Sequence, residues 1–167
     1  MNTVFLSGSI KIKNLDENVC HRLSNIVSQN FGVIVGDAKG ADLAFQNYFN
    51  SEAYEDVVVY CVGNPRNIVK DWEVKSIQTT LRPGTRQYFT AKDEQMASDC
   101  DLGFMLWDGK SQGTLKNVLE LLSQGKKSLV YLSKSQQFVT VSNIATFERL
   151  ISMMKPEDLE AVCKKIN

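Results

Sequence analysis

The sequence is poor in the residues that carry the commonest enzyme chemistries. It has one histidine, His21, and four widely spaced cysteines, Cys20, Cys61, Cys100 and Cys163, with no C-x-x-C pair. One imidazole and scattered thiols do not assemble a structural zinc site, so no metal is expected. A Ser-His-Asp triad would have to use His21, which lies in a helix-like stretch on the far side of the first strand, and is not expected either. The cysteines read as reduced and structural. An excess of charge is also missing: Lys+Arg and Asp+Glu both number 19, for a net charge of zero. Without a basic excess or stripe there is no field to hold a polyanion, and no nucleic-acid partner is expected. No run approaches the roughly 18 apolar residues that span a bilayer. The opening Met1-Asn2-Thr3-Val4-Phe5-Leu6 enters a strand-like segment without a basic leader region. No membrane partner is expected, and the expected location is cytoplasmic.

What is there is a regular alternation. Apolar, β-branched runs at 4–7, 33–35, 57–61, 102–107 and 128–132 alternate with helix-period stretches at 16–29, 41–49, 91–98 and 114–123. In the first helical stretch Val19, Leu23, Ile26 and Val27 recur at three- and four-residue steps, as one buried face requires. Continuous apolar strands between amphipathic helices predict a parallel sheet covered on both sides. The expected fold is α/β: a Rossmann-like, doubly wound, three-layer structure with a C-terminal helical extension. Residues 1–133 form the expected core, and 134–167 a strand and helix extension packed on it or pairing with it. In that extension 138–141 reads as a strand, Ser142 or Asn143 as a helix cap, and Pro156 as the first turn of a last helix. Residues 63–90, with Pro65, Pro83 and several basic residues, break the rhythm. A connection this long is a binding loop or lid, or hides a short element such as 72–77, strand or helix.

Ligands of open parallel sheets bind where strands turn into helices at their carboxyl ends. Three such turns are small, polar and contain glycine: Ser7-Gly8-Ser9, Gly36-Asp37-Ala38-Lys39-Gly40-Ala41-Asp42, and Asp108-Gly109-Lys110-Ser111-Gln112-Gly113-Thr114. Glycine admits a phosphate close to the backbone, and free N–H groups at a helix N-terminus favour the anion. Each loop alone is equally explained by a tight turn or a helix cap; their shared edge is what points to a ligand. No turn matches the Walker A pattern or a full G-x-G-x-x-G, so no nucleoside-triphosphatase or dinucleotide cofactor is expected.

The second of these loops resembles the GGA-[RK]-GAD signature of YspA-like proteins in the SLOG superfamily, Rossmannoid domains related to DprA and to the LOG phosphoribohydrolases. Lys92-Asp93-x-x-Met96 resembles that family's R-[ND]-x-x-M, Asp101 the Asp that opens its fourth strand, and Trp107-Asp108-Gly109-x-Ser111-x-Gly113-Thr114 its W-x-G-x-S-x-GT turn. The similarity spans about residues 3–132 and implies binding of a nucleotide or nucleotide derivative. Two departures stand out. Asp37 replaces the second Gly, and Lys92 replaces Arg, keeping charge but losing the planar fork. A third concerns catalysis. Where LOG-type phosphoribohydrolases and nucleoside deoxyribosyltransferases carry an active-site glutamate in GT-x-x-E, this chain has Asn117, which cannot act as a carboxylate nucleophile or base.

The function expected is therefore binding of a nucleotide-derived ligand, as in a sensor. Ser7, Gly8, Ser9, Gly36, Gly40, Asp108, Gly109, Ser111, Gly113, Thr114 and Asn117 line the crevice. Lys39 or Lys92 compensates phosphate charge, Asp42 contacts a ribose hydroxyl, and Asp37 lies in the same loop. The alternative is an N-glycosidic hydrolase or transferase in which Asp93 or Glu94 supplies the carboxylate that Asn117 lacks. A further alternative makes the chain a homo-oligomer through Leu150, Ile151, Met153, Met154, Leu159 and Val162.

Overall fold

In the computed structural model, which describes residues 1–166 and the side chains of all of these except residues 162, 165 and 166, burial alternates along the first strand. Val4 and Leu6 enter one core and Phe5 the other, because successive side chains of a strand point to opposite faces. That strand, β1 (Thr3–Gly8), is followed by α1 (Glu17–Ser28), β2 (Gly32–Gly36), α2 (Ala41–Ser51), β3 (Val57–Val62), β4 (Glu73–Ile77), α3 (Arg86–Asp99), β5 (Leu102–Trp107), α4 (Gln112–Ser123), β6 (Ser128–Leu132), β7 (Gln137–Val141), α5 (Ile144–Ile151) and α6 (Pro156–Ile166). The seven strands form one sheet in the order β4-β3-β2-β1-β5-β6-β7. Every pair is parallel except the β6–β7 hairpin.

The helices divide between the two faces. Val19, Leu23 and Ile26 of α1 pack with Ala41, Phe45 and Phe49 of α2 on one side. On the other, Met96 and Ala97 of α3, Leu115, Val118 and Leu121 of α4, and Phe147 and Leu150 of α5 form the second core. The result is a three-layer, doubly wound α/β sheet with helices at its C-terminal end. Local chemistry agrees at the ends of the helices. Asp16 caps α1 by accepting from the Val19 N–H at 3.1 Å. Asn143, one of the two expected caps, closes a reciprocal box with Thr146 on α5.

The irregular region hides a strand rather than a lid. β4 is an edge strand, mostly exposed, which explains why 72–77 carries no clear period. The connection before it, 63–72, crosses to a parallel strand without a helix and is stitched down. Fully buried Gln46 donates to the carbonyls of Gly36 and Asn67 at 3.0 and 3.2 Å and accepts the Val69 N–H at 3.1 Å. The Trp72 indole donates to the Tyr54 carbonyl at 2.9 Å. Leu150 and Met154 are buried on the chain's own sheet, while Met153 is 38% exposed. The side chain of Val162 lies outside the described residues. None of the described helices is long and apolar enough to cross a membrane.

Candidate functional site

β1 pairs with β2 on one side and β5 on the other, and the chain leaves these neighbours toward opposite faces. Such a reversal of winding opens a crevice at the carboxyl ends of the strands. A cleft of about 500 Å³ lies there.

One wall is made of the loops after β1 and β5, pinned to each other. Ser9, almost fully buried, donates its hydroxyl to Asp108 Oδ2 at 3.0 Å, and its N–H bonds the Leu106 carbonyl at 3.0 Å. Asp108 Oδ1 takes the N–H groups of Lys110 and Ser111 at 3.0 and 2.7 Å. Burial would raise the Asp108 carboxyl, but these donors outweigh it and hold the group below its ordinary range. Trp107 donates its indole N–H to the Ser111 carbonyl at 3.1 Å, which fixes the turn into α4. Ser111 caps that helix, its hydroxyl accepting from Thr114. The N–H groups of Gln112 and Gly113 have no protein partner among the described residues. A Cβ on Gly113 would meet only Arg86 Nη2, at 3.5 Å.

The opposite wall is built from charge. Asp37, at the end of β2, accepts the Arg66 N–H at 2.9 Å, Nε at 3.2 Å and Nη2 at 2.6 Å. Burial would raise its carboxyl, and the Arg66 contacts more than offset this. Among the described residues Asp42, 8% exposed, accepts only the Ala38 N–H, at 3.2 Å. Burial pushes it up to about 7, against the pull of Lys92. Lys92, 4% exposed, donates to the Phe89 carbonyl at 2.8 Å and reaches Asp93 Oδ1 at 3.4 Å. Burial also raises Asp93, with Lys92, Lys116 and Asn117 opposing. Asn117 donates to the Ser7 hydroxyl at 3.1 Å, tying α4 back to β1.

Of the residues singled out in the sequence, Ser7, Gly8, Ser9, Asp42, Lys92, Asp93, Asp108, Ser111, Gly113, Thr114 and Asn117 come together around the cleft. Gly36, Asp37, Lys39, Gly40, Gly109 and Glu94 are not on its surface. Lys39 and Glu94 point to solvent. Asp37 lies behind Arg66. Gly36 and Gly40 serve packing: a Cβ would fall 2.3 Å from Asp42 Oδ2 at the first and 2.3 Å from the Ile10 carbonyl oxygen at the second, where φ is +80°. Sequence reasoning missed Lys11, Arg66, Arg86, Phe89, Thr90 and Lys110 as lining residues. The only signal for the first five was the basic, irregular character of 63–90 and of the turn after Ser9.

No family model matches the chain, and no curated protein matches it. Among solved structures it is similar to DNA processing protein A from Helicobacter pylori, described for its single-stranded DNA binding mode. The TM-score is 0.59 at 12% identity, over 98% of this chain and 81% of that one. At that identity the likeness is one of fold, and the chain has a DprA-like Rossmann fold. The expectation of no nucleic-acid partner, drawn from charge balance, does not stand, because a protein of this fold binds single-stranded DNA. The physical reason is that net charge averages over the whole surface. Lys11, Arg66, Arg86, Lys92 and Lys110 gather at one cleft with three carboxylates, of which Asp108 is committed to its own loop.

Proposed function

We propose that the cleft binds a nucleotide-type ligand through its phosphate, seated at the start of α4. The observation that carries this reading is the pair of N–H groups at Gln112 and Gly113, without a protein partner among the described residues, on two residues that line the cleft beside Arg86. Fixed N–H groups at a helix start, with a guanidinium beside them, match an anion with several acceptor oxygens. Ser7 and Thr114 add hydroxyls, and the cleft has the volume of a small-ligand site. Membership of the SLOG superfamily, as a YspA-like protein, is part of the same proposal. It rests on the four motifs and agrees with the DprA-like fold.

Titration calorimetry with the four ribonucleoside 5′-monophosphates tests it. Binding to the wild type, lost in Gly113→Val with the melting temperature retained, is the expected result. A folded wild type that binds none of them overturns the proposal. The same titration with a thymidine oligonucleotide asks whether the phosphate belongs to a single strand, the partner class seen in the structural neighbour. In that case affinity falls steeply with salt.

One observation favours a catalytic version. Asp93 faces the cleft with a raised carboxyl beside Asn117 and Lys92, and a raised carboxyl suits a general acid near neutral pH. Release of free base from a nucleoside monophosphate, absent in Asp93→Asn, is the outcome that version requires. No release at high enzyme concentration eliminates it.

A further inference from the structure

The phosphate reading leaves one arrangement unused, the buried Asp37 and the arginine it holds. Asp37 is 1% exposed, and the Nε and Nη2 contacts engage one edge of the Arg66 guanidinium. The guanidinium carbon lies 4.2 Å from the centroid of the Phe89 ring, so one face is covered as well. Arg66 nevertheless lines the cleft, with about a third of its side chain exposed.

This is a poor way to attract an anion. The ion pair cancels most of the field that Arg66 would project, whereas Lys11, Arg86 and Lys110 make no ion pair among the described residues. It is a good way to hold a plane. A guanidinium fixed on one edge and backed by an aromatic ring presents a flat, delocalised surface of the kind that stacks on a nucleobase. Its place in the fold agrees. The loop after β3 stands three strand steps from β5, on the order of 14 Å at ordinary strand spacing. Arg66 and the start of α4 therefore reach the cleft from opposite sides of β1.

We infer that Arg66 is the stacking platform for the ligand's base, with Asp37 as its positioning residue and Phe89 as its backing. This rests on the nucleotide reading above and narrows it: the ligand carries an aromatic base at the end remote from its phosphate. The platform reads the presence of a base more than its identity, because every base has a π-face.

The experiment compares the four ribonucleoside 5′-monophosphates with ribose 5-phosphate, by calorimetry, on the wild type and four variants. These are Arg66→Ala, Arg66→Lys, Asp37→Asn, and the double variant Asp37→Asn/Arg66→Ala, which removes the buried carboxylate left by the single change. The expected result is a loss of about tenfold for the nucleotides in both Arg66→Ala backgrounds, with ribose 5-phosphate unchanged. Arg66→Lys does not restore binding, and Asp37→Asn loses part of it. A loss shared equally by ribose 5-phosphate, or rescue by Lys, assigns Arg66 to charge and overturns the inference. Full nucleotide affinity in the folded double variant overturns it too. If wild type binds ribose 5-phosphate as tightly as the nucleotides, the platform falls and the phosphate site survives. If it binds neither, both fall.

Discussion

The two walls of the cleft lie on the same sheet edge and are held by different physics. The wall at β1, β5 and α4 is a set of short loops closed by hydrogen bonds: Ser9 to Asp108, Asp108 to its own turn, Ser111 to Thr114. The wall at β2, β3 and α3 holds Asp37, Asp42 and Lys92 at 8% exposure or less, balanced against Arg66 and Asp93. Loops of the first kind cost little to build and, with the Asp108 carboxyl held low, respond to pH only on the acid side. Buried charges cost several kcal/mol each to desolvate unless paired, so the second wall stores a dependence on protonation near neutral pH that the first lacks.

The largest effect that breaks this comparison comes from placing one residue in both loops. Gly40→Val puts a Cβ against the Ile10 backbone at a positive φ and is expected to cost at least about 3 kcal/mol in denaturant unfolding. Gly113→Val meets only the end of the Arg86 side chain, at ordinary contact distance, and is expected to stay within about 1 kcal/mol of wild type, losing ligand instead of fold.

Next in size is Asp42. Its folded carboxyl stands at about 7, above its unfolded value, so the native state holds the proton more tightly. The stability this provides is present below the ordinary carboxylate range and drains away as pH rises toward 7. Asp42→Asn is expected to stabilise the fold by on the order of a few kcal/mol at pH 8, and by less at pH 5, where less of the proton-linked stability has drained away. Protonation also removes a negative charge from the cleft. Phosphate ligands should therefore bind the wild type more tightly at pH 6 than at pH 8, and Asp42→Asn should lose that part of the dependence which the phosphate's own titration does not explain.

Asp37 has the opposite sign. Its carboxyl is held low, so its contribution is present above the ordinary carboxylate range and disappears on acidification through the lowered value. Asp37→Ala should cost about 2 kcal/mol at pH 7 and make unfolding less steep on the acid side. The smallest effect sharpens the contrast. Ser9→Ala removes one buried hydroxyl from the loop wall and should cost about 1 kcal/mol, by the same amount at pH 6 and pH 8.

The same division explains what could be read from the sequence. Strands, helices and the Gly-Ser turns of the first wall depend on patterns a few residues long, so β1, β5, the start of α4 and most of their lining residues were legible. Of the second wall, Asp42, Lys92 and Asp93 were legible as motif residues, but Arg66 and Phe89 were not, because Asp37 meets Arg66 across 29 positions and Arg66 meets Phe89 across a strand and a loop. β4 was ambiguous because an exposed edge strand need not alternate. Lys39 and Glu94 show the remaining gap: a motif places a residue in a loop or on a helix, but not the direction of its side chain. Asp93 reaches the cleft while its neighbour Glu94, about 100° further around α3, does not.

The strand order has a consequence for how the protein is made. β1 is made before every other strand of this sheet, yet takes its second partner from residues 102–107. Until those emerge, a nascent chain can assemble only β4-β3-β2-β1, with an unpaired apolar border along Val4, Phe5 and Leu6. The cleft has no second side at that stage. On the proposed nucleotide reading, ligand capture would report synthesis through α4 and would favour chains that have reached it over shorter intermediates.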